Sequence, residues 1–148
     1  MNQDRDETPD IKLAGLSVWV SSREFPDSDD YWDGNWLHVH IHVEADGASV
    51  QVSGPCVRTD EIEEFTEQLA LLHRDLRGTA NLACMEPYLA AKVTCGTLGG
   101  VQVEVEVTPD HLAQSHRFLF GLDQSYLPAV LSGCRDVLHR FPVTNRPR

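Results

Sequence analysis

His38, His40 and His42 alternate with the apolar residues Leu37, Val39, Ile41 and Val43. In an extended strand this spacing puts the three imidazoles on one face, about 7 Å apart in succession. Two of them could share a metal ion if a neighbouring strand added ligands, since zinc takes four nitrogen or sulfur ligands, or three and a water. Glu104 and Glu106, on the polar side of another alternating segment, are the candidate oxygen ligands if that strand lies alongside. No His-Glu-x-x-His pattern and no other spaced ligand motif completes a set. The simpler reading is a solvent-facing histidine row on a half-exposed sheet, pairing with those glutamates. A metal-binding protein or metal-dependent enzyme using His38, His40 and His42 is the alternative.

A second constellation lies just before the histidines. Asp27, Asp29, Asp30, Tyr31, Trp32, Asp33 and Trp36 put four aspartates and three aromatic rings into ten positions. Residues 22–35 make a connection of 14 residues, longer than most in compact domains, and long connections more often carry function. Asp33-Gly34 is turn chemistry, because Gly34 reaches positive φ without a Cβ clash. The stretch reads as a corner feeding a strand at Trp36. It also has the composition of a binding hot spot for a basic protein, and sequence physics leaves both readings open.

Other catalytic patterns are missing. There is no Gly-x-Ser-x-Gly, no P-loop and no Gly-x-Gly-x-x-Gly. Cys56, Cys84, Cys95 and Cys134 lack Cys-x-x-Cys spacing and an electropositive neighbourhood. They read as reduced, mostly buried thiols of a cytosolic protein. Gly96-Thr97-Leu98-Gly99-Gly100 reads as a hairpin connection, not a phosphate cradle, because a strand follows it. Glu86, before Pro87, reads as a backbone-capping or surface carboxylate. No cofactor is expected.

Charge narrows the partners. The 148 residues carry a formal charge of −11, from 23 acidic and 12 basic residues. Residues 1–110 hold 21 acids against seven basic residues, while residues 111–148 hold two against five. Nucleic-acid binding relies on Lys and Arg displacing counterions, so an acidic body disfavours it. A cationic protein partner is favoured instead. The first residues have no basic region leading into an apolar stretch, and no apolar run approaches the roughly 20 residues of a membrane helix. The expectation is a cytoplasmic protein with no membrane partner.

The elements that must position these residues follow from periodicity. Residues 1–10 read as a loose acidic tail and 143–148 as a frayed basic tail, leaving one domain over 11–142. Leu16, Val18 and Val20 share a strand face, residues 36–44 form the histidine strand, and Asp46-Gly47 turns into a strand over 49–53 that Gly54-Pro55 ends. Thr59 is the expected N-cap of a helix over 60–77, with Asp60, Glu61, Glu63 and Glu64 near its positive end. Ile62, Phe65, Leu69, Leu72 and Leu76 make its apolar stripe, and Gly78 stops it. Strands follow at 80–85, 89–95, 101–108 and 116–122. Ser125 then caps a helix with Leu127, Val130, Leu131, Cys134, Leu138 and Phe141 inward, ended by Pro142. Such a pattern predicts an α+β fold: a single twisted, mainly antiparallel sheet of six to seven strands with two helices packed against it.

Tyr31-Trp32-Asp33-Gly34-Asn35-Trp36-Leu37, Arg58-Thr59, Glu86-Pro87 and Asp123-Gln124-Ser125 occur in an order that resembles the WapI-like immunity family. The likeness spans residues 16–142, and its first piece is the most specific. It implies a small non-enzymatic bacterial cytoplasmic protein of the polymorphic and contact-dependent toxin systems, one that binds and neutralises a toxin domain, commonly a nuclease. The histidine row is no part of that pattern. The preferred expectation is an immunity-type inhibitor whose Asp27, Asp29, Asp30, Tyr31, Trp32, Asp33 and Trp36 cover a basic toxin domain. A structural domain that oligomerises through a sheet edge is the third reading.

Overall fold

The computed structural model describes residues 8–96 and 98–148. Most of the acidic tail and Thr97 of the glycine-rich connection lie outside the described residues. Alternation builds the first half of the molecule. Strands β1 (Ile11–Leu13), β2 (Leu16–Arg23), β3 (Trp36–Ala45) and β4 (Ala48–Arg58) pair antiparallel in chain order. Asp46-Gly47 joins β3 to β4 as expected, with Gly47 at φ 78°. Leu37, Val39, Ile41 and Val43 of β3 are all fully buried.

Gly54-Pro55 does not end β4, which runs on to Arg58 through a bulge. Leu37 pairs with Val57 and Val39 with Gly54, so two steps along β3 match three along β4. Gly54 takes the positive φ of 142°, and Pro55 is tolerated because β4 is the edge of its sheet. The extension matters because it delivers Arg58 directly to the start of helix α2 (Thr59–Asp75).

After α2 a second antiparallel meander forms: β5 (Gly78–Ala83), β6 (Leu89–Cys95), β7 (Val101–Val107) and β8 (Arg117–Leu122). A 3-10 turn (Gln124–Tyr126), with Asp123 rather than Ser125 as its cap, leads into helix α3 (Leu127–Arg140). The third helix is the four-residue α1 (Tyr31–Gly34), inside the long β2–β3 connection. The expected single sheet of six to seven strands with two helices is therefore replaced, among the described residues, by two separate four-stranded sheets and three helices. The physical reason is that alternation marks the buried face of each strand but only short turns dictate which strands pair. Between β4 and β5 the chain runs about 26 Å along α2, and those two edges do not join.

Two apolar sheet faces then share one core with the stripes of α2 and α3. Ile62, Phe65, Leu69 and Leu72 point into it, whereas Leu76 leaves the helix in the left-handed region at φ 50° and is 40% exposed. Helix α3 lies on β1, so close that a Cβ on Gly133 would sit 2.3 Å from the Asp10 carbonyl oxygen. Among the described residues no helix is long and apolar enough to cross a membrane.

Phe65 is 2% exposed at the centre of this core. Phe65→Ala should lower the unfolding free energy by about 3–5 kcal/mol, measured by urea denaturation. An unchanged midpoint would remove α2 from the core.

Candidate functional site

Arg58, at the junction of β4 and α2, is the largest of the fully buried side chains, 1% exposed. Its Nε donates to Asp60 Oδ1 at 3.0 Å, its Nη2 to the Tyr31 carbonyl at 3.1 Å, and its Nη1 to the Trp32 carbonyl. The guanidinium carbon lies 5.2 Å from the Tyr31 and Trp32 ring centroids and 5.3 Å from that of Trp36. A delocalised cation among three π faces and two carbonyl oxygens is desolvated yet satisfied, which is the setting in which cation–π attraction is strongest. Arg58 also donates its backbone N–H to Glu61 Oε1 at 2.8 Å, while Glu61 Oε2 accepts from Met85 N–H at 2.6 Å. Burial pushes the Glu61 carboxyl above its ordinary value, and those two N–H groups offset only part of the rise.

These bonds explain how a helix of four residues persists. A single turn has no stability of its own, and its last carbonyls lack partners within the helix. Asp30 caps its start, Oδ2 accepting from Asp33 N–H at 3.0 Å. Arg58 takes the Tyr31 and Trp32 carbonyls, and Arg23 Nη1 donates to the Gly34 carbonyl at 2.8 Å. Asn35, fully buried, donates Nδ2 to the carbonyls of Tyr31 and Thr144 and accepts Thr144 N–H on Oδ1. Thr59 spends its N–H on the Asn35 carbonyl and its hydroxyl on the Phe141 carbonyl. The tail expected to fray is thus hydrogen-bonded at Thr144, and Arg146 grips both oxygens of Glu63 at 2.6 and 2.7 Å.

Of the seven residues marked by the sequence, Tyr31 and Trp36 are half-buried around Arg58. Trp32 packs one edge against Tyr31, with centroids 5.2 Å apart, yet remains 57% exposed. Asp27, Asp29 and Asp33 are exposed and, among the described residues, form no ion pair; Asp30 is committed to its cap. The structure so brings the aromatics and aspartates to one braced corner.

The histidine row does not converge on a metal-binding set. His38 Nδ1 lies 3.2 Å from Glu24 Oε2, His40 Nδ1 2.5 Å from Ser53 Oγ, and His42 Nε2 2.7 Å from Ser49 Oγ. Glu104 and Glu106 belong to β7, in the other sheet, so they are not alongside. Glu104 instead meets Arg117 at 2.5 Å, which holds its carboxyl below the usual range. Among the described residues no three His, Cys, Asp or Glu side chains are grouped to hold a metal ion. The four cysteines are free thiols, three of them buried. Burial pushes Cys56 and Cys134 up to about 11, and burial with the Glu61 carboxylate raises Cys84, so these three are not ready nucleophiles.

Beside the corner, sequence reasoning missed a cleft of about 690 Å³ along the β4 bulge. Trp36 forms one wall, with Phe25, Tyr88, Pro55 and Glu86 around it. These come from four segments, and no spacing connects them. Arg58 stood out in the sequence only within the Arg58-Thr59 piece of the family likeness, and its place among the aromatics was not foreseen.

A family model described as the immunity protein WapI-like family matches residues 9–142. Among curated proteins none matches. Among solved structures, the crystal structure of WHY1 from Arabidopsis thaliana is similar at a TM-score of 0.47 and 10% identity, over 86% of this chain and 78% of that one.

Two outcomes test the site's construction. Arg58→Ala should cost about 3–5 kcal/mol of stability, as removing one partner of a buried pair does, and Arg58→Lys should recover little because it lacks the planar fork; thermal and urea melts of both decide it. For the thiols, raised values mean that folding favours the neutral form. That contribution is complete below the unfolded value of about 8.5 and fades as pH climbs through about 11. Iodoacetamide at pH 8.5 should therefore label Cys56 and Cys134 rapidly only in denaturant, and fast labelling of the folded protein, read by mass spectrometry, would contradict the burial.

Proposed function

This chain belongs to the WapI-like immunity protein family, and we propose that it is a non-enzymatic cytoplasmic inhibitor that binds and neutralises a cognate cationic toxin domain, a nuclease. Its contact surface is the acidic, aromatic corner of Asp27, Asp29, Asp30, Tyr31, Trp32, Asp33 and Trp36. Family membership supports the immunity role. The observation that carries the choice of surface is Trp32, whose backbone is clamped by Arg58 while the residue stays 57% exposed. A large ring held in place loses little freedom on binding, and this is what distinguishes an anchor from a floppy loop.

Charge supports the partner's chemistry. A nuclease cleft is basic because its substrate is polyanionic, and a body of net charge −11 meets it with steered association. The two parts of the corner then act on different rates. Trp32 supplies desolvated area and slows dissociation, while the exposed aspartates raise the association rate.

Surface-binding kinetics against the toxin domain encoded beside this chain, at two ionic strengths, separate these roles. Trp32→Ala should weaken binding by about 2 kcal/mol, roughly thirtyfold, chiefly through faster dissociation. Asp27→Asn with Asp29→Asn should slow association and flatten its salt dependence. If both variants are folded by circular dichroism and keep wild-type rates, the interface lies elsewhere on the molecule.

A further inference from the structure

Three of the four sequence pieces that carry the family likeness meet at one place. Trp36 is shared between the ring of aromatics around Arg58 and the wall of the 690 Å³ cleft, and Glu86 lines the same cleft. Apart from Glu86, its lining is neutral: three aromatic rings (Phe25, Trp36 and Tyr88), Pro109, and the stretch of β4 from Gln51 to Cys56 that leads into the bulge. Among the described residues no lysine or arginine lines it and no cation pairs with Glu86. Phe25 stands 48% exposed, and beyond Glu61's bond to its backbone, Met85 leaves its side chain exposed next to Glu86.

We infer that this cleft is a specificity slot that accepts an arginine or lysine side chain of the bound toxin domain. The chemistry that recognises such a side chain is a carboxylate for the charge and π faces for the cation and its apolar stem, and the cleft supplies both. Trp36 already carries Arg58 over its ring, whereas among the described residues Phe25 and Tyr88 face Glu86's cleft with no cation over them. An anion would meet Glu86 with repulsion, and a purely apolar ligand would bury that carboxylate unpaired. Edge strand β4 forms one side of the cleft, and its Pro55 has no N–H to set against an incoming cation. The volume exceeds one side chain, which fits a segment of polypeptide better than a small free cation. The inference rests on the immunity reading for its partner, and the shared Trp36 makes slot and corner one continuous surface.

Two experiments test it. Acetyl-Gly-Arg-Gly-amide and its citrulline counterpart, in which a neutral urea replaces the guanidinium, are titrated at millimolar concentration into the labelled protein. The arginyl peptide should shift the Trp36 indole and Tyr88 ring resonances, the citrullinyl peptide should not, and Glu86→Gln should weaken the response at least fivefold. Equal shifts with both peptides, or shifts indifferent to Glu86→Gln, overturn the slot. In parallel, the toxin domain is bound to wild type, Glu86→Gln, Tyr88→Ala and Trp32→Ala. A tenfold or greater loss of affinity in the Glu86 and Tyr88 variants supports the slot. Full affinity in those two with faster dissociation of Trp32→Ala refutes it while leaving the immunity reading in place. If the toxin domain fails to bind even wild type, the immunity reading falls, and the peptide titration alone decides whether the slot takes a cation.

Discussion

A buried arginine in a protein of strong negative charge is the constraint on which the rest of this molecule turns. Taking a guanidinium out of water is costly unless each donor finds an acceptor and the charge finds compensation. Arg58 has a carboxylate, two carbonyls and three aromatic rings within reach. To satisfy it, β4 must run past its proline, α2 must begin at the next residue, and the β2–β3 connection must fold back as a helical turn. One side chain so couples a sheet edge, a helix start and a long loop that would otherwise be independent.

The same coupling explains why the exposed part of the corner can be rigid. Three of the four residues of α1 have carbonyls held by arginines from elsewhere in the chain. The backbone of Trp32 is structural while the residue stays 57% exposed, so on the proposed reading bracing and recognition would draw on different atoms of one residue. A structural corner, which the Arg58 hydrogen bond to the Trp32 carbonyl shows, is therefore compatible with the hot spot proposed above.

What could be read beforehand followed the physics of short range. The alternation of Leu37, Val39, Ile41 and Val43, the two-residue turn at Asp46-Gly47 and the α2 stripe through Phe65 and Leu69 are local signals, and each corresponds to an element found. The partition into two sheets was not legible, because nothing in the alternation of Val101, Val103, Val105 and Val107 says which strand lies beyond the next turn. Gly54-Pro55 misled for a related reason: a bulge on an edge strand accepts the residues that would end an interior one. At the site, the aspartates and rings were visible as a cluster in ten positions, whereas Arg58, Glu86 and Asn35 acquire meaning only through partners brought in by the fold.

The bond between Asn35 and Thr144 joins positions 109 apart. During synthesis the first sheet can complete its ladders once Arg58 has emerged, but the corner must wait for Thr144, 86 residues later by subtraction of the two numbers. At translation speeds of about 5–20 residues per second that delay is about 4–17 s. Throughout it, the nascent chain carries Asn35 with its amide unpaired to Thr144, and the loop bearing Trp32 lacks its final brace. However fast the sheet that displays it folds, the corner gains its last brace only after Thr144 has been made.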